Sequence, residues 1–164
     1  RLDELSAVVV VHGPGSFTGV RVGLSAGKGL SEAGGVPLSA VSRLALLAVG
    51  VDGVVHAVLD AGRGEFYYGE YVGGRLVRAA LLSEDEVRAA AGEGVLVVCE
   101  AKVAEALAGM HPRLVAEPVA GDALAFAVER AAAGDFDDAA LADANYLRRS
   151  DAEIFAKPKG SSAK

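Results

Sequence analysis

The sequence predicts an α/β protein in which short buried strands alternate with helices around a mixed sheet. Three observations lead to this prediction. The β-branched run at residues 8–11 leads through a glycine-rich turn into a segment with helical periodicity. Three strand-like segments separated by glycine turns follow one another between residues 54 and 82. From there to residue 133, helix-like and strand-like segments alternate.

The first part of the chain predicts the order βαβα. Its elements are a strand at 7–12, a helix at 18–33, a short strand at 36–41 and a helix at 43–49. We expect the first strand to be buried on both faces, because its apolar run is continuous. Ser16 or Thr18 is expected to cap the first helix, Gly34 and Gly35 to end it, and Ser42 to cap the second.

The second part predicts the order βββαβαβα. Its elements are strands at 54–60, 65–72 and 75–82, a helix to about 91, a strand at 95–99, a helix at 101–109, a strand at 114–116 and a helix at 123–133. Ser83 and Glu86 form a capping box, and Asp122 is expected to cap the last helix. A strand meander followed by alternating helices and strands is typical of the ribonuclease-H-like arrangement.

The order βαβα matches the second half of the same unit, so the sequence predicts two ribonuclease-H-like units of which the first is incomplete. We expect residues 1–52 to be the C-terminal part of the first unit, 53–148 the second unit, and 149–164 a disordered tail. The native gene is then expected to encode about 40 or more further residues upstream, three strands and a helix at average lengths. The intact mass of the native product tests this expectation.

Composition indicates a core of small aliphatic side chains, since 52% of residues are hydrophobic and only 5% are aromatic. The single cysteine, Cys99, follows an apolar run and is predicted to be a buried structural thiol in a reducing compartment. No hydrophobic run reaches membrane-spanning length, so we expect a cytoplasmic protein without a membrane partner.

The charge is distributed unevenly along the chain. The formal net charge of −6 comprises +1 in residues 1–50, −10 in 51–144 and +3 in 145–164. An acidic body lacks the electrostatic footprint of a protein that binds RNA unaided. The basic tail could contact phosphate, but a solvated end is the more common explanation of such a composition.

The glycine-rich turn is the first candidate for a ligand site, because it leads from a strand into a helix N-terminus. Its candidate nucleotide-loop residues are Gly13, Gly15, Ser16, Thr18 and Arg21. The turn does not fit the P-loop, dinucleotide or nucleophile-elbow patterns, which need a lysine or further glycines that this sequence lacks. The alternative is a structural turn that caps the helix.

The helix after the turn carries a ridge of small residues, because Gly19, Gly23, Gly27 and Ser31 are spaced four apart. Each mid-helix glycine costs about 1 kcal/mol relative to alanine, so close packing of another element is the expected compensation. The ridge packs either on the protein's own sheet or on a partner's helix. For the second alternative, the predicted partner-interface residues are Gly19, Val20, Gly23, Gly27, Leu30 and Ser31.

Catalytic groups are sparse in this sequence. The histidines His12, His56 and His111 form no His-x-x-x-His pair, so no metal site is predicted, and His56 is interpreted as a satisfied sheet histidine. A nucleophilic trio could be assembled only from Ser16, His12 and Asp60, and nothing in the sequence orients the imidazole. We therefore assign no catalytic residue.

Five motifs carry a resemblance to a known family. They are Gly13-Pro14-Gly15-Ser16-Phe17-Thr18-Gly19-Val20-Arg21-Val22-Gly23, Ala26-Gly27-Lys28-Gly29-Leu30, Val41-Ser42-Arg43-Leu44, Asp60-Ala61-Gly62-Arg63-Gly64-Glu65-Phe66-Tyr67 and Asn145-Tyr146-Leu147-Arg148. With them the chain resembles the TsaB (YeaZ) family over nearly its whole length. One departure is His12, where the family usually has arginine.

The resemblance implies an actin-like ATPase fold of two ribonuclease-H-like units and a non-catalytic subunit that binds TsaD. TsaD uses threonylcarbamoyl-adenylate to modify adenosine 37 of tRNA, and the ATPase TsaE is the third member. The resemblance also implies a self-dimer and only indirect contact with tRNA. No cofactor is expected for the chain itself, although ATP or ADP is possible in the complex. The alternatives are a nucleotide-binding enzyme of this fold and a glycoprotease-like peptidase that uses Ser16.

Overall fold

The structure is a computed structural model that describes residues 1–147. In chain order its strands and α-helices are β1 (Val8–Val11), α1 (Phe17–Gly34), β2 (Leu38–Val41), α2 (Arg43–Ala48), β3 (Val54–Gly62), β4 (Glu65–Val72), β5 (Arg75–Ser83), α3 (Glu84–Ala90), β6 (Val95–Val98), α4 (Ala101–Ala106), β7 (Arg113–Leu114) and α5 (Ala120–Ala132). Single 3₁₀ turns lie at Leu2–Glu4 and Ala108–Met110. The order of elements matches the prediction from sequence.

The strands form two sheets. β1 and β2 pair in parallel, with Val8 opposite Leu38 and Val11 opposite Val41. The other five strands form one sheet in the order β5-β4-β3-β6-β7. Within this sheet β3, β4 and β5 are antiparallel neighbours, whereas β6 and β7 run parallel to β3. The predicted mixed α/β sheet is confirmed.

Each face of the five-stranded sheet is covered by helices. On one face, Val58, Tyr68 and Val98 pack with Val87 of α3 and Val103 of α4. On the other face, the apolar cluster contains Leu44, Leu47 and Ala48 of α2 together with Val55, Ala57, Leu59, Tyr71 and Val97. Because α2 is only six residues long, it covers mainly β3 and β4.

The two-stranded sheet lies between α1 and α5. Val8 and Val10 belong to the apolar cluster of α1, whereas Val9 and Val11 belong to that of α5. Residues on alternate sides of β1 therefore pack on different helices, as the pleat of a strand requires. Only Val10 is fully buried, and its three neighbours in β1 are half-buried. Both faces of β1 are therefore packed, as predicted, but burial is incomplete because within residues 1–147 β1 pairs with β2 alone.

The predicted boundary at residue 52 does not coincide with a break in packing. Helix α2, assigned to the first unit, packs on β3 and β4. Helix α5, assigned to the second unit, packs on β1 and β2 through Ala123 and Ala127. The division into two ribonuclease-H-like units stays a prediction.

Three local predictions need correction. Helix α5 begins at Ala120 with Val119 as its N-cap, and the carboxylate of Asp122 reaches back to accept the Val119 N–H at 2.8 Å. Ser42 occupies the N-cap position of α2, but its side chain makes no capping hydrogen bond. The helix predicted at 101–109 ends at Ala106 and continues as the 3₁₀ turn.

Within residues 1–147, no helix is both long and apolar enough to cross a membrane. The predicted tail at 149–164 and Arg148 of the last motif lie outside the described residues.

Candidate functional site

The glycine-rich loop is hydrogen-bonded to the start of α2. The Gly13–Pro14 peptide bond is cis, and both residues are buried. The Gly13 carbonyl accepts the Arg43 N–H at 2.8 Å. Ser16 is the N-cap of α1, and its Oγ accepts the Gly19 N–H at 3.3 Å. The capping role predicted for Ser16 is therefore confirmed.

One flank of α1 packs on the protein's own sheet. Leu24, Gly27 and Ser31 are buried there, and Val20 is half-buried in the same cluster. A β-carbon at Gly27 would lie 3.1 Å from Cβ of Val10, so β1 takes up the space that glycine leaves. Ser31 Oγ donates to the Val36 carbonyl at 2.6 Å. Gly27, Ser31 and most of Val20 are therefore turned into the fold, which corrects their assignment to a partner interface.

A second flank of α1 is covered by the strap, defined here as residues 137–147. Lys28 Nζ donates to the carbonyls of Ala140 and Ala142 at 3.3 and 3.0 Å. Nearer the start of the helix, Arg21 Nε donates to the Tyr146 hydroxyl. The strap is fixed at its beginning by Asp137, whose N–H donates to Leu38 O at 2.9 Å. The strap therefore lies along α1 beside β2.

A third flank of α1, which we call the open flank, faces solvent. It consists of Gly19, Val22, Gly23, Ala26 and Leu30. Val22 and Leu30 are 63% and 46% exposed, and a β-carbon at Gly23 would meet no atom within 4 Å. No member of this flank is charged. The ridge predicted from sequence is thus divided between the protein's own core and an uncovered apolar surface.

Val22 and Ala26 were not among the predicted interface residues. Their spacing relative to Gly19, Gly23 and Leu30 places them on the same helical face. The sequence therefore contained the helical spacing that identifies this face. The prediction followed the four-residue spacing of the glycines instead, and that row winds gradually around the helix into the core.

Three of the loop residues predicted to bind a nucleotide have contacts within the described part of the chain, and the nucleotide site stays a prediction. Gly13 is buried, Ser16 Oγ caps α1, and the Arg21 side chain lies over the ring of Phe17. A groove of about 410 Å³ lies elsewhere, between the end of α2 and α5, lined by residues such as Leu47, Phe126 and Glu129. Residues 13–21 do not line this groove.

The trio Ser16, His12 and Asp60 is not assembled. Ser16 Oγ has the Gly19 N–H as its partner, and Asp60 Oδ2 accepts from Lys102 Nζ at 2.6 Å. Among the described residues, His12 Nδ1 is buried without a hydrogen-bond partner. Burial lowers the pKa of His12, against smaller opposing effects that include a hydrogen bond with the Asp143 backbone. No group of metal-ligating side chains occurs in residues 1–147.

A charged cluster beside the loop was not anticipated from sequence. Arg43 donates to Glu117 at 2.7 Å and lies 3.9 Å from Glu100. Glu100 in turn accepts the Asp60 N–H at 2.7 Å. Cys99 next to it is half-buried rather than fully buried, and burial raises the pKa of its thiol. Arg43 therefore links the loop, through its backbone bond to Gly13, to Glu100 at the end of β6.

Comparison with known proteins agrees with this architecture. A family model described as TsaD, tRNA N6-adenosine threonylcarbamoyltransferase, matches residues 1–146. Two solved structures from Pseudomonas aeruginosa, one of YeaZ and one of a protein described as similar to peptidase YeaZ, each superpose with a TM-score of 0.71. They are 30% and 32% identical to the chain, respectively, and the match covers 90% of this chain and 76% of theirs.

Two curated relatives match a shorter region. The tRNA threonylcarbamoyladenosine biosynthesis protein TsaB of Bacillus subtilis is 45% identical over 72 residues, 42% of this chain and 31% of the relative. The Escherichia coli TsaB is 40% identical over 75 residues, 43% of this chain and 32% of the relative. The matched region therefore spans about a third of the length of each relative.

The fold and the matched model define an α/β protein of the glycoprotease-like class. Within that class, the chain belongs to the TsaB (YeaZ) family.

Proposed function

We propose that the chain is a non-catalytic subunit of the machinery that makes N6-threonylcarbamoyladenosine in tRNA, and that it docks on TsaD through the open flank of α1. The names of the B. subtilis and E. coli relatives support the pathway, and the matched family model supports TsaD as the enzyme of the complex. TsaE joins through the complex, tRNA is reached indirectly, and ATP or ADP enters only with the partners. A cytoplasmic location follows from this role.

The single observation that carries the docking proposal is the emptiness around Gly23. A β-carbon at Gly23 would have no neighbour within 4 Å. Beside Gly23, the side chains of Val22 and Leu30 are 63% and 46% exposed. A helix face without charge and with small residues at its centre lets a second helix approach closely. Exposed apolar surface of this kind marks a protein interaction site.

The same flank supports a self-dimer as the state without partner. A two-fold contact brings each residue near its own copy, and an uncharged surface avoids like-charge repulsion in that arrangement. We propose that the self-dimer and the TsaD complex use the flank alternately, since one face cannot hold both partners.

The test compares Gly23→Leu with Ser25→Leu in co-purification with TsaD from the same organism. Ser25 is exposed on the polar side of α1, so its leucine adds the same bulk outside the open flank. Gly23→Leu is expected to abolish co-purification while the thermal unfolding midpoint of the folded monomer stays the same or rises, since leucine is a better helix former than glycine. Ser25→Leu is expected to bind TsaD as the unsubstituted chain does. Normal binding by a folded Gly23→Leu protein contradicts the docking proposal.

The proposed lack of catalysis needs a separate measurement. Threonylcarbamoyl transfer to a tRNA transcript is measured with TsaD, TsaE and threonylcarbamoyl-adenylate, with and without the chain. We expect no transfer by the chain alone and faster transfer by TsaD when the chain is present. Transfer by the chain alone, or labelling of Ser16 by a fluorophosphonate, contradicts the proposal and favours the enzyme alternatives.

A further inference from the structure

Arg21 is held rigidly at the start of α1 by two aromatic rings. Its guanidinium carbon lies 3.7 Å from the ring centroid of Phe17 and 5.3 Å from that of Tyr146. Its Nε donates to the Tyr146 hydroxyl, and the two rings are 5.6 Å apart. A guanidinium stacked on aromatic faces has lost most of its rotational freedom before any partner arrives.

Arg21 nevertheless has no carboxylate partner within residues 1–147. By contrast, Arg43, Arg88 and Arg130 each have a carboxylate oxygen at 2.7 Å. Carboxylates are not scarce, because the chain has 22 acidic and 16 basic residues. The hydrogen bond to Tyr146 uses Nε, so the two terminal amino groups of Arg21 are left for an acceptor outside the described residues.

The surroundings of Arg21 favour a single carboxylate over a polyanion. Two terminal amino groups in one plane match the two oxygens of a carboxylate or phosphate. Phe17 and Tyr146 are 51% and 42% exposed and form an apolar collar beside the charge. Of the four aspartates between residues 135 and 143, Asp135 and Asp137 pair with Arg130, and the other two disfavour the closely spaced phosphates of a nucleic acid. An exposed arginine with two aromatic neighbours is typical of an energetically dominant position in a protein interface.

We propose that Arg21 is a charged anchor of the α1 docking surface and that it binds a carboxylate of the partner protein. This inference rests on the proposed function, because it assigns a second contact to the same partner. Arg21 lies on the strap side of α1, two residues after Gly19 of the open flank, so the two regions occupy different sides of the first two turns of the helix. A partner that covers this end of the helix reaches both regions.

The test measures the equilibrium affinity of TsaD for the unsubstituted chain and for Arg21→Met, Arg21→Lys and Tyr146→Phe. Arg21→Met is expected to weaken binding about tenfold or more, since it leaves the partner's carboxylate without its ion pair. Arg21→Lys restores only part of the loss, because an ammonium group lacks the planar fork. Tyr146→Phe removes the hydroxyl that ties Arg21 to the strap, keeps both rings, and is expected to weaken binding less than about threefold.

Salt dependence supplies a readout that a purely structural role would not change. The affinity of the unsubstituted chain is expected to fall with rising ionic strength, and that of Arg21→Met to fall less steeply. If Arg21 only held the strap in place, Tyr146→Phe would weaken binding as much as Arg21→Met, and this result overturns the proposal. A loss of tRNA retention by the complex, with unchanged TsaD affinity of Arg21→Met, overturns it in favour of nucleic acid.

The two proposals can fail separately. Loss of binding on Gly23→Leu together with unchanged binding by Arg21→Met overturns the carboxylate anchor and leaves the docking flank in place. If the unsubstituted chain does not bind TsaD at all, both proposals are overturned.

Discussion

Gly27 of α1 lies directly against Val10 of β1. A β-carbon at Gly27 would be 3.1 Å from Cβ of Val10 and 3.4 Å from one of its methyl groups. One turn earlier, the same position at Gly23 meets no atom within 4 Å. Two glycines with the same spacing in one helix therefore have opposite surroundings: Gly27 allows the helix to approach the sheet, and Gly23 faces outward.

This difference predicts opposite effects of adding a side chain. Gly27→Leu forces bulk into the contact between α1 and β1 and is expected to lower the free energy of unfolding by about 1–3 kcal/mol. Gly23→Ala meets nothing and is expected to raise it by about 0.5–1 kcal/mol, because alanine restricts the unfolded backbone more than glycine does. Urea unfolding followed by circular dichroism measures both, provided that the m-values agree. Equal stabilities for the two variants would show that α1 does not pack on β1 through Gly27.

A second prediction concerns the buried pair His56 and Tyr68. His56 is 3% exposed, and its Nδ1 is hydrogen-bonded to the Tyr68 hydroxyl at 2.8 Å. This geometry agrees with the interpretation of His56 as a satisfied sheet histidine. Tyr68→Phe leaves a buried ring nitrogen without that partner and is expected to lower the free energy of unfolding by about 1–3 kcal/mol.

Tyr71→Phe is the matched control for that substitution, since Tyr71 lies in the same strand and is also buried. It removes a hydroxyl from the other face of the sheet and leaves His56 untouched. Because the Tyr71 hydroxyl is hydrogen-bonded to Ser42, a smaller loss of stability for Tyr68→Phe than for Tyr71→Phe would contradict the importance assigned to the buried bond with His56.

Local signals in the sequence were sufficient for most element boundaries. Gly35 ends α1 in the left-handed region at a φ of 61°, which glycine adopts without strain. The capping box at Ser83 and Glu86 was correctly located because both partners lie within four residues. The N-cap of α5 was predicted three residues too late, at Asp122, since an aspartate can serve either as the N-cap or as the third residue of a capping box.

Contacts between distant segments could not be predicted in the same way. The bond between Arg21 and Tyr146 joins residues 125 apart, and nothing in either local pattern specifies the other. The packing of α5 on β1 and β2 likewise cannot be predicted from helical periodicity, because periodicity identifies the apolar face of a helix but not the element that covers it. For this reason the sequence predicted the glycine ridge but not which half of it β1 would cover.

A third prediction follows from His12, which burial keeps largely neutral. Because its pKa in the folded protein is lowered, the unfolded chain binds more protons as pH falls below about 6.5, the usual histidine value. Its contribution to stability is therefore fully present above that pH and is lost as pH falls toward the folded pKa. His12→Gln removes the titrating group and is expected to flatten the dependence of the thermal midpoint on pH between about 7 and 5.

His111→Gln is the control for that measurement, because His111 lies exposed after a 3₁₀ turn. The thermal midpoint of His111→Gln is expected to depend on pH in the same way as that of the unsubstituted protein. A slope for His12→Gln that is unchanged from the unsubstituted protein would contradict the burial argument.

The fourth prediction concerns the capping box at the start of α3. Ser83 Oγ accepts the Glu86 N–H at 3.4 Å, and a carboxylate oxygen of Glu86 accepts the Ser83 N–H at 2.7 Å and the Ser83 hydroxyl at 2.8 Å. Hydrogen bonds from the Ser83 backbone, and then from its side chain, lower the pKa of Glu86. The unfolded chain therefore binds the proton more readily, and Glu86 stabilises the fold at pH values above its ordinary pKa.

This stabilisation is lost as pH falls through the lowered pKa of Glu86, so Glu86→Gln is expected to reduce the thermal midpoint at pH 7 and to make little difference near pH 2. Ser83→Ala removes the hydroxyl as well and is expected to lower the free energy of unfolding by about 1 kcal/mol at pH 7. Asp85→Asn removes a carboxylate from the same turn, leaves the capping hydrogen bonds in place, and serves as the control. Only Glu86 is bonded to Ser83 in both directions. If Asp85→Asn nevertheless reproduced the pH dependence of Glu86→Gln, that dependence would come from the negative charge of the first turn and not from the capping box.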